Sequence, residues 1–438
     1  MKTCLDQAQK ILKAWKGDSY TFGRNVLEAA GPYSSRLGRK CTLVVTELGQ
    51  AWIEESRAKV EASLKGNAVD FEIVGGARPN APREDLYRIS HQVARSRSEA
   101  IIALGGGSTI DASKAAAILN TYFPSEVIDA LGAKISEADS IEPYFGTGLV
   151  TRLKEKTGRI VMPVIALQTA SSSGAHLTKY ANITDPLSQQ KKLIVDEAIV
   201  PPAAVFDYGL TVSAPPSLTI DGGLDGMSHA WEVFMSAIGS PQYEKIKEVA
   251  KLCLRLIIFG LRRAQENKAD IEGRTALGLG TDLGGYAIMM GGTSGPHLGS
   301  FSLIDLLSHG RACAILIPYY TLLFAPVIQD QLRTAGAIFK EEGYLKEGLE
   351  NLSGRDLGLA VARAMIAFLK SLDFPTTLKQ AGASAAHIQR MLSAAKDPKL
   401  KMKLQNMPTP MDAEKGDVER FMKPVLEAAY SGDLTLIP

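Results

Sequence analysis

The sequence predicts a two-domain protein, with an α/β domain in residues 1–210 and an all-helical domain in residues 211–438. Up to about residue 210, short β-branched runs alternate with helical stretches, which is typical of a mostly parallel sheet covered by helices. Beyond that point the β-rich runs largely end, and long segments carry an apolar period of 3.6 residues. Proline pairs at 201–202 and 215–216 bracket the expected hinge, because proline resists continuing either regular structure.

The elements of the first half alternate in the order expected of βαβ units. Apolar and β-branched runs predict strands at 42–46, 71–74, 100–104 and 161–167. Between them, apolar residues at helical spacing predict helices at 51–64, 85–97 and 109–119. In the second half the same spacing predicts long helices at 243–266, 274–290 and 356–372.

Length and composition indicate a globular protein that acts on small molecules. The chain has 438 residues, 45% of them hydrophobic, which is enough to bury two cores. Its 49 basic and 47 acidic residues nearly cancel, and no Lys/Arg block occurs, so nucleic acid is not an expected partner. The N-terminus lacks an apolar signal core, and no apolar run approaches about 20 residues, so we expect neither export nor membrane insertion. The four cysteines are scattered without paired spacing, which fits a reducing cytoplasm.

A glycine-rich loop follows the strand predicted at 100–104. The loop reads Gly-Gly-Gly-Ser-Thr-Ile-Asp at 105–111 and leads into a predicted helix. Glycines let the backbone approach a pyrophosphate, and the positive end of the following helix attracts its charge. Ser108 and Asp111 also have the spacing of a capping box. The loop matches neither the Gly-x-Gly-x-x-Gly fingerprint nor the Gly-Lys-Ser/Thr loop, so a tight strand-to-helix turn is the alternative interpretation.

Glu47 follows the strand predicted at 42–46 and is a candidate ribose ligand. A carboxylate at this place accepts hydrogen bonds from an adenosine ribose and repels a 2′-phosphate, which would favour NAD over NADP. An ordinary surface glutamate is an equally simple explanation.

Four side chains in the second half predict a metal site. Asp225 and His229 lie four residues apart on a predicted helix, which puts a carboxylate and an imidazole on one face. His297 and His309 follow where a four-ligand site would need them, and Gly310 permits close approach beside His309. Taken singly, each histidine is more often a core or surface residue, and it is the joint arrangement that indicates a ligand set. Three imidazoles and one carboxylate suit Fe(II) or Zn(II), and no cysteine ligand is expected.

Three segments in this order resemble the iron-containing (group III) alcohol dehydrogenase family. The stretch 225–232 is similar to its metal helix, 105–111 to its Gly-Gly-Gly-Ser nicotinamide loop, and 308–318 to its His-Gly segment. The resemblance runs through nearly the whole chain. It implies a Rossmann-like nucleotide-binding α/β domain and an all-α metal-binding domain, in the architecture of dehydroquinate synthase, with the active site in the cleft between them.

The resemblance also implies site residues. Asp225, His229, His297 and His309 would be the metal ligands and the catalytic residues, and NAD or NADP would be the second cofactor. The segment 166–178 is similar to a cofactor stretch of the family and keeps its hydroxyl pattern. The residues expected to contact the nucleotide are Glu47, Asn80, Gly105, Gly106, Gly107, Ser108, Asp111, Thr169, Ser173, Thr178 and Lys191.

The chain departs from the family pattern at two places. Within 166–178, the family's Pro, Thr, Ser and Glu become Gln168, Ala170, Ala175 and His176, which weakens the expected cofactor contacts there. Four residues after His297, many members have a histidine credited with moving protons, and here that position holds Phe301. The stretch from His297 to His309 is also two residues shorter than the resemblance implies. Either the proton leaves through the cofactor ribose and water, or His297 has another role and a ligand is missing.

The resulting hypothesis is a metal-dependent, NAD(P)-linked oxidoreductase that interconverts an alcohol and an aldehyde or ketone by hydride transfer. A nucleotide- and metal-dependent lyase of the dehydroquinate synthase type is the second interpretation, although only Arg311 lies near His309 to bind a phosphorylated substrate. A non-catalytic binder of metal and nucleotide is the third. Trp231, Leu298 and Phe301 either line an apolar substrate pocket or pack in the core. We expect a homo-oligomer, a dimer or larger.

Overall fold

The computed structural model describes residues 1–123 and 140–438. The chain forms two compact units. The first consists of Ile11–Pro215, and the second consists of Met1–Lys10 together with Pro216–Pro438. The first unit contains every strand of the described residues, and the second is helical. This arrangement confirms the predicted fold class of an α/β part followed by a helical part. The domain boundary placed after residue 210 stays a prediction.

The first unit is built on a six-stranded parallel sheet with the strand order β1-β9-β6-β4-β2-β3. Its strands are β1 Tyr20–Gly23, β2 Lys40–Val45, β3 Asp70–Gly75, β4 Ala100–Gly105, β6 Val164–Gln168 and β9 Ala203–Asp207. β4 and β6 are buried along their whole length, which explains why their sequences read as continuous apolar runs rather than as alternation. From β2 the chain adds β3 on one side and β4 on the other, so the strand order reverses between β2 and β4.

A second, three-stranded sheet has the order β5-β8-β7. It consists of β5 Gly146–Thr147, β7 Tyr180–Asp185 and β8 Gln190–Val195, with β7 and β8 antiparallel. The helices of the first unit are α2 Ala30–Leu37, α3 Ala51–Gly66, α4 Arg83–Ser96, α5 Gly107–Tyr122 and α6 Leu149–Thr157. α1 spans Lys2–Lys16 and so runs through the boundary of the two units.

The second unit begins with three long helices that pack on one another: α7 Pro216–Met235, α8 Tyr243–Glu266 and α9 Ile271–Met290. The remaining helices are α10 Gly295–Ser300, α11 His309–Leu323, α12 Gln329–Glu341, α13 Gly354–Ser371, α14 Ala385–Ala394, α15 Lys401–Gln405 and α16 Lys423–Ser431. α7 and α9 approach closely at glycines, because a Cβ on Gly226 would lie 2.9 Å from the Thr281 Cα. The long helices predicted at 243–266, 274–290 and 356–372 correspond to α8, α9 and α13.

Candidate metal centre and nucleotide loop

α7 carries a carboxylate and an imidazole on one buried face. Asp225 and His229 are 3% and 4% exposed, and the Asp225 Oδ1 lies 3.9 Å from the His229 Nε2. Their spacing of one helical turn is what places both side chains on the same side of the helix. The predicted pair is therefore together and turned into the protein.

α10 and α11 bring two more imidazoles to the same oxygen. The Asp225 Oδ1 lies 3.6 Å from the His297 Nε2 and 3.8 Å from the His309 Nε2. In a tetrahedral metal site with bonds of about 2.1 Å, neighbouring donor atoms are about 3.4 Å apart. The separations in this cluster are slightly longer, so a divalent cation fits among the donors with little adjustment. The structure thus brings together all four side chains predicted to be metal ligands.

The outer nitrogens of two imidazoles are fixed by hydrogen bonds. The His297 Nδ1 donates to the Glu232 Oε1 at 2.5 Å. Ser300 uses its single hydroxyl hydrogen to donate to the His297 carbonyl oxygen at 2.7 Å, so its oxygen accepts the Nδ1–H of His309 at 2.9 Å. In both rings the Nε2 is the nitrogen that faces the Asp225 carboxylate. Burial alone would lower the pKa of His297, but Cys313, Glu232 and Asp225 raise it well above its usual value, so without a metal this ring holds a second proton. A bound cation would take the place of that proton.

Two of these inner atoms have no other partner. The Asp225 Oδ1 and the His297 Nε2 are buried and make no hydrogen bond within residues 1–123 and 140–438. A buried polar atom without a partner costs about 1–3 kcal/mol. Coordination of a metal would satisfy both atoms, so the donor set fits a bound cation.

Burial and mutual charge shift the pKa values of the cluster. Burial alone would raise the pKa of the Asp225 carboxyl, but the imidazoles of His229, His309 and His297 outweigh it and hold that pKa well below its usual range. Burial lowers the pKa of His229 to about 4. At neutral pH the pair therefore consists of a carboxylate and a neutral imidazole, which are the forms that bind metals.

Gly310 lets α11 approach α7 at the cluster. A Cβ on Gly310 would lie 2.9 Å from the Asp225 Cβ and closer still to the Asp221 carbonyl oxygen. No side chain fits in that space. The sequence-based expectation of close approach beside His309 is met at this contact.

Glu232 contacts the cluster and was not predicted from the sequence. Its side chain is 0% exposed, and its Oε2 accepts hydrogen bonds from the Ser294 backbone N–H at 2.7 Å and from the Ser294 hydroxyl at 3.2 Å. These bonds fix the carboxylate that orients the His297 ring. Nearby, the buried Lys403 donates to the Thr293 Oγ1, and burial lowers its pKa to about 8 against the opposing charge of Glu232. The signal for Glu232 was its position three residues after His229 on one helix.

Cys313 is a second residue that the sequence analysis missed. Its Sγ, the Asp225 carboxylate and ring nitrogens of His297 and His309 all lie within 4.8 Å of one another. The signal was the His-x-x-x-Cys spacing from His309, which repeats the one-turn spacing of Asp225 and His229.

The three apolar residues proposed to line a substrate pocket are buried. The Trp231 Nε1 donates to the Thr321 Oγ1 at 2.8 Å, and Trp231 and Leu298 are 1% and 0% exposed. Phe301 lies nearly parallel to the His309 ring, with the two centroids 5.8 Å apart. Trp231 and Leu298 therefore pack in the core, and Phe301 supports a predicted metal ligand.

Arg311, the cation noted near His309, is already neutralised. Its guanidinium contacts the Asp221 Oδ1 at 3.0 Å and stacks on Phe374, with 4.7 Å between the guanidinium carbon and the ring centroid. An arginine held in this way leaves little free charge for a substrate phosphate.

In the first unit, β4 leads directly into the N-terminus of α5. α5 begins at Gly107 with Gly106 as its N-cap, so backbone N–H groups of its first turn have no partner within the helix. The predicted capping box is wrong, because Ser108 lies inside the first turn instead of at the cap and no side chain caps the helix. The loop follows β4 at the point where the strand order reverses, which is where open α/β sheets bind ligands.

The segment after β6 lies against this loop. The Thr169 N–H donates to the Gly105 carbonyl oxygen at 3.1 Å, and a Cβ on Gly107 would lie 2.6 Å from the Ser173 Oγ. The hydroxyl oxygens of Ser171 and Ser173 are buried and have no hydrogen-bond partner in the described part of the chain. Backbone N–H groups and unused hydroxyls at one helix N-terminus suit the oxygens of a phosphate.

A buried lysine organises the same region and was not predicted. The Lys114 Nζ donates to the carbonyl oxygens of Ala175, Thr178 and Tyr180 at 2.6, 2.8 and 2.8 Å. Burial lowers its pKa to about 8. These bonds hold the backbone around the predicted cofactor residue Thr178.

The other predicted nucleotide ligands are spread around this edge of the sheet. Asp111 is buried, and its Oδ2 accepts from the Asn182 backbone N–H at 3.0 Å, which ties α5 to β7. Glu47 is exposed just after β2, where its Oε2 accepts from the Trp52 Nε1 at 2.7 Å. Asn80 has a positive φ of 67° in the turn that follows β3, and the buried Lys191 lies on β8. The contacts of these four residues with the cofactor stay predictions.

Comparison with known proteins identifies the family. Residues 18–208 match the model described as iron-containing alcohol dehydrogenase, and residues 219–425 match the model described as the C-terminal part of the Fe-containing alcohol dehydrogenase family. The chain belongs to the iron-containing alcohol dehydrogenase family. This confirms the resemblance drawn from the sequence.

Alcohol dehydrogenases are also among its individual relatives. The chain is 27% identical over 384 residues to the NAD-dependent methanol dehydrogenase of Bacillus methanolicus, covering 85% of this chain and 90% of the relative. It is 26% identical over 416 residues to long-chain-alcohol dehydrogenase 1 of Geobacillus thermodenitrificans, with coverage of 94% and 95%. In fold it is similar to NADH-dependent butanol dehydrogenase A of Thermotoga maritima, with a TM-score of 0.77, 22% identity and coverage of 94% and 97%.

Family membership decides between the three functional interpretations. The chain is an enzyme of the alcohol dehydrogenase class, and neither the lyase nor the non-catalytic binder is supported. Among residues 1–123 and 140–438, none of the helices combines the length and the apolar character needed to cross a bilayer.

Proposed function

We propose that the chain catalyses the reversible, NAD-linked oxidation of an alcohol to an aldehyde or ketone, with one divalent, iron-type metal held by Asp225, His229, His297 and His309. The observation that carries this proposal is the Asp225 Oδ1, which lies 3.6 to 3.9 Å from the Nε2 atoms of three imidazoles. A cation bound among these atoms would replace the proton that His297 holds in its absence, because an imidazole binds a metal through a deprotonated nitrogen.

The side chains around the metal supply position and charge. A bound divalent cation supplies Lewis acidity, which lowers the pKa of an alcohol or polarises a carbonyl. Asp225 contributes the negative charge of the ligand set. Glu232 and Ser300 hold the His297 and His309 rings by their Nδ1 atoms, so both rings keep a fixed tautomer and direction. Preorganisation of this kind avoids reorientation of the ligands during the reaction.

The loop at 105–111 is proposed to bind the pyrophosphate of the nicotinamide cofactor. Gly106, Gly107 and Ser108 would present backbone N–H groups at the N-terminus of α5, with the Ser173 hydroxyl beside them. The cofactor accepts or returns the hydride. Glu47 would favour NAD over NADP, which agrees with the name of the methanol dehydrogenase relative.

Phe301 cannot transfer a proton, since its side chain has no titratable group. Its ring packs on His309 instead. His297 lies in the cluster at 3.6 Å from Asp225, which favours its role as a ligand. We therefore infer that His297 serves as a ligand and that the side chain at position 301 takes no part in proton transfer. The identity of the alcohol and the homo-oligomeric state stay predictions.

The test is a metal analysis combined with a substrate screen. Protein purified without oxygen would be analysed for metal and assayed with NAD and NADP against primary alcohols and aldehydes. We expect one divalent metal per chain and turnover with NAD. His309→Ala should lose both metal and turnover with an unchanged circular dichroism spectrum, whereas His91→Ala, outside the cluster, should keep both. Full activity in His309→Ala would contradict the proposal.

A further inference from the structure

α11 presents a thiol on the same face as His309. Cys313 lies one helical turn after His309 and is 0% exposed. Its Sγ is one of four potential ligand atoms that lie within 4.8 Å of one another, the others coming from Asp225, His297 and His309. A carboxylate, an imidazole and a thiol are all donor types that bind divalent cations.

Two helices thus contribute ligand pairs with the same spacing. α7 supplies Asp225 and His229, and α11 supplies His309 and Cys313. Gly310 removes the side chain that would keep these helices apart at this level. The thiol reaches the cluster through the same close contact that brings His309 to Asp225.

Two buried polar atoms of the cluster lie close to the thiol. The Asp225 Oδ1 and the His297 Nε2, both in residues about 3% exposed, make no hydrogen bond in the described residues. The Cys313 side chain interacts directly with His297. A cation shared by all four side chains would satisfy the Asp225 Oδ1 and the His297 Nε2.

We propose that the Cys313 Sγ also binds the cation proposed to be held by Asp225, His229, His297 and His309, and that this sulfur donor biases the centre toward zinc. The inference rests on the proposed metal-dependent function and refines its metal. Thiolate is a soft ligand that favours zinc, whereas a set of carboxylate and imidazoles alone does not choose between zinc and iron. On binding, the thiol releases its proton to solvent and the sulfur forms the bond to the metal.

Zinc-edge X-ray absorption on the zinc-loaded, full-length protein tests the sulfur bond directly. The wild type should show one sulfur scatterer at about 2.3 Å. Cys313→Ser should lose that shell. Cys253→Ser is the matched control, because Cys253 is equally buried in the same unit but donates to backbone carbonyls of Gly226 and Gly280. A wild-type spectrum with nitrogen and oxygen scatterers alone would overturn the proposal.

A competition between metals tests the bias. Metal-free protein would be equilibrated without oxygen with equal Fe(II) and Zn(II), and the bound metals would be counted. We expect Cys313→Ser to lower the ratio of bound zinc to bound iron by about tenfold or more, and Cys253→Ser to leave it unchanged. An unchanged ratio in Cys313→Ser would refute the bias.

The two proposals fail in different ways. A wild type that binds zinc through nitrogen and oxygen alone refutes the sulfur ligand and leaves the proposed function standing. A wild type that binds no divalent metal refutes both. If Cys313→Ser does not fold, cobalt-loaded wild type decides the question, because a sulfur ligand gives an intense near-ultraviolet charge-transfer band and its absence would overturn the proposal.

Discussion

The proposed metal centre and the proposed nucleotide loop are built from different groups. The metal centre consists of buried charged and polar side chains from α7, α10 and α11, which converge on the Asp225 Oδ1. The nucleotide loop consists of backbone N–H groups, glycines and hydroxyls where β4 and β6 end. The first site depends on the identity of a few donor atoms. The second depends on how closely a ligand can approach the backbone.

Because the two sites are built differently, we expect them to respond differently to substitution. In the metal centre a single altered donor leaves the other buried groups without a partner, and the cost is large. In the loop, several N–H groups share one ligand, so one change removes only part of the binding. We therefore expect larger effects from substitutions in the helical unit than in the sheet unit.

The largest effect among supporting residues is expected at Glu232. Glu232→Gln replaces a carboxylate by a neutral amide beside the His297 Nδ1 and the Ser294 N–H, so His297 becomes a weaker and less well oriented ligand. Metal affinity should fall by about 10- to 100-fold. Competition with a chelator measures this affinity. Glu350→Gln, at an exposed position of the same unit, is the control. Equal affinities in the two variants would show that Glu232 does not support the ligand.

The next effect concerns packing at the metal centre. Gly310→Ala places a Cβ 2.9 Å from the Asp225 Cβ, so α7 and α11 must move apart. Overpacking of this kind should destabilise the fold by about 1–3 kcal/mol. Thermal denaturation measures the loss. Gly66→Ala adds a methyl group where no atom lies within 4 Å, and it should leave the melting temperature nearly unchanged. A Gly310→Ala protein as stable as this control would mean that the close approach is not required.

A smaller effect is expected in the nucleotide loop. Gly107→Ala puts a Cβ 2.6 Å from the Ser173 Oγ and displaces that hydroxyl from the N-terminus of α5. The dissociation constant for NAD should rise about tenfold, as expected for one lost hydrogen bond to a charged group. Equilibrium binding measures it, and metal content should stay at the wild-type level. Unchanged NAD affinity would remove the loop from the binding site.

The smallest effect is expected at Glu47, which is exposed. Glu47→Gln removes the charge that would repel a 2′-phosphate, and NADP binding should improve by up to about fivefold. The ratio of kcat/KM with NAD to that with NADP measures the preference. Trp52→Phe, which removes the indole donor to Glu47 and keeps the charge, should change this ratio less. If the two variants give equal ratios, the Glu47 charge does not select the cofactor.

The elements that could be predicted from the sequence are those whose pattern lies within one short segment. The strands β2, β3, β4 and β6 were found because they are apolar runs, and Asp225 with His229 because one helical turn fixes their relation. β1, β5, β7, β8 and β9 were not predicted. β1 has only four residues, and a segment that short carries little periodicity.

Other features depend on contacts between distant segments, which spacing alone does not fix. The contact of Glu232 with Ser294 joins residues 62 positions apart, and the bond from Lys114 to Tyr180 joins residues 66 apart. Cys313 had a local signal in its spacing from His309, but only the contact of α7 with α11 shows that it faces Asp225. The capping box failed because α5 begins one residue before Ser108.

The proposed function depends on one cation that lies among Asp225 and its neighbouring imidazoles. The most direct measurement is the metal content of wild type and Asp225→Asn, both purified without oxygen and loaded with excess metal, with circular dichroism as the check on folding. We predict one tightly bound divalent metal per chain in the wild type and less than a tenth of that amount in folded Asp225→Asn, since loss of a charged ligand lowers affinity by at least the roughly 10- to 100-fold seen for supporting residues. Equal metal content in the two proteins would contradict the account.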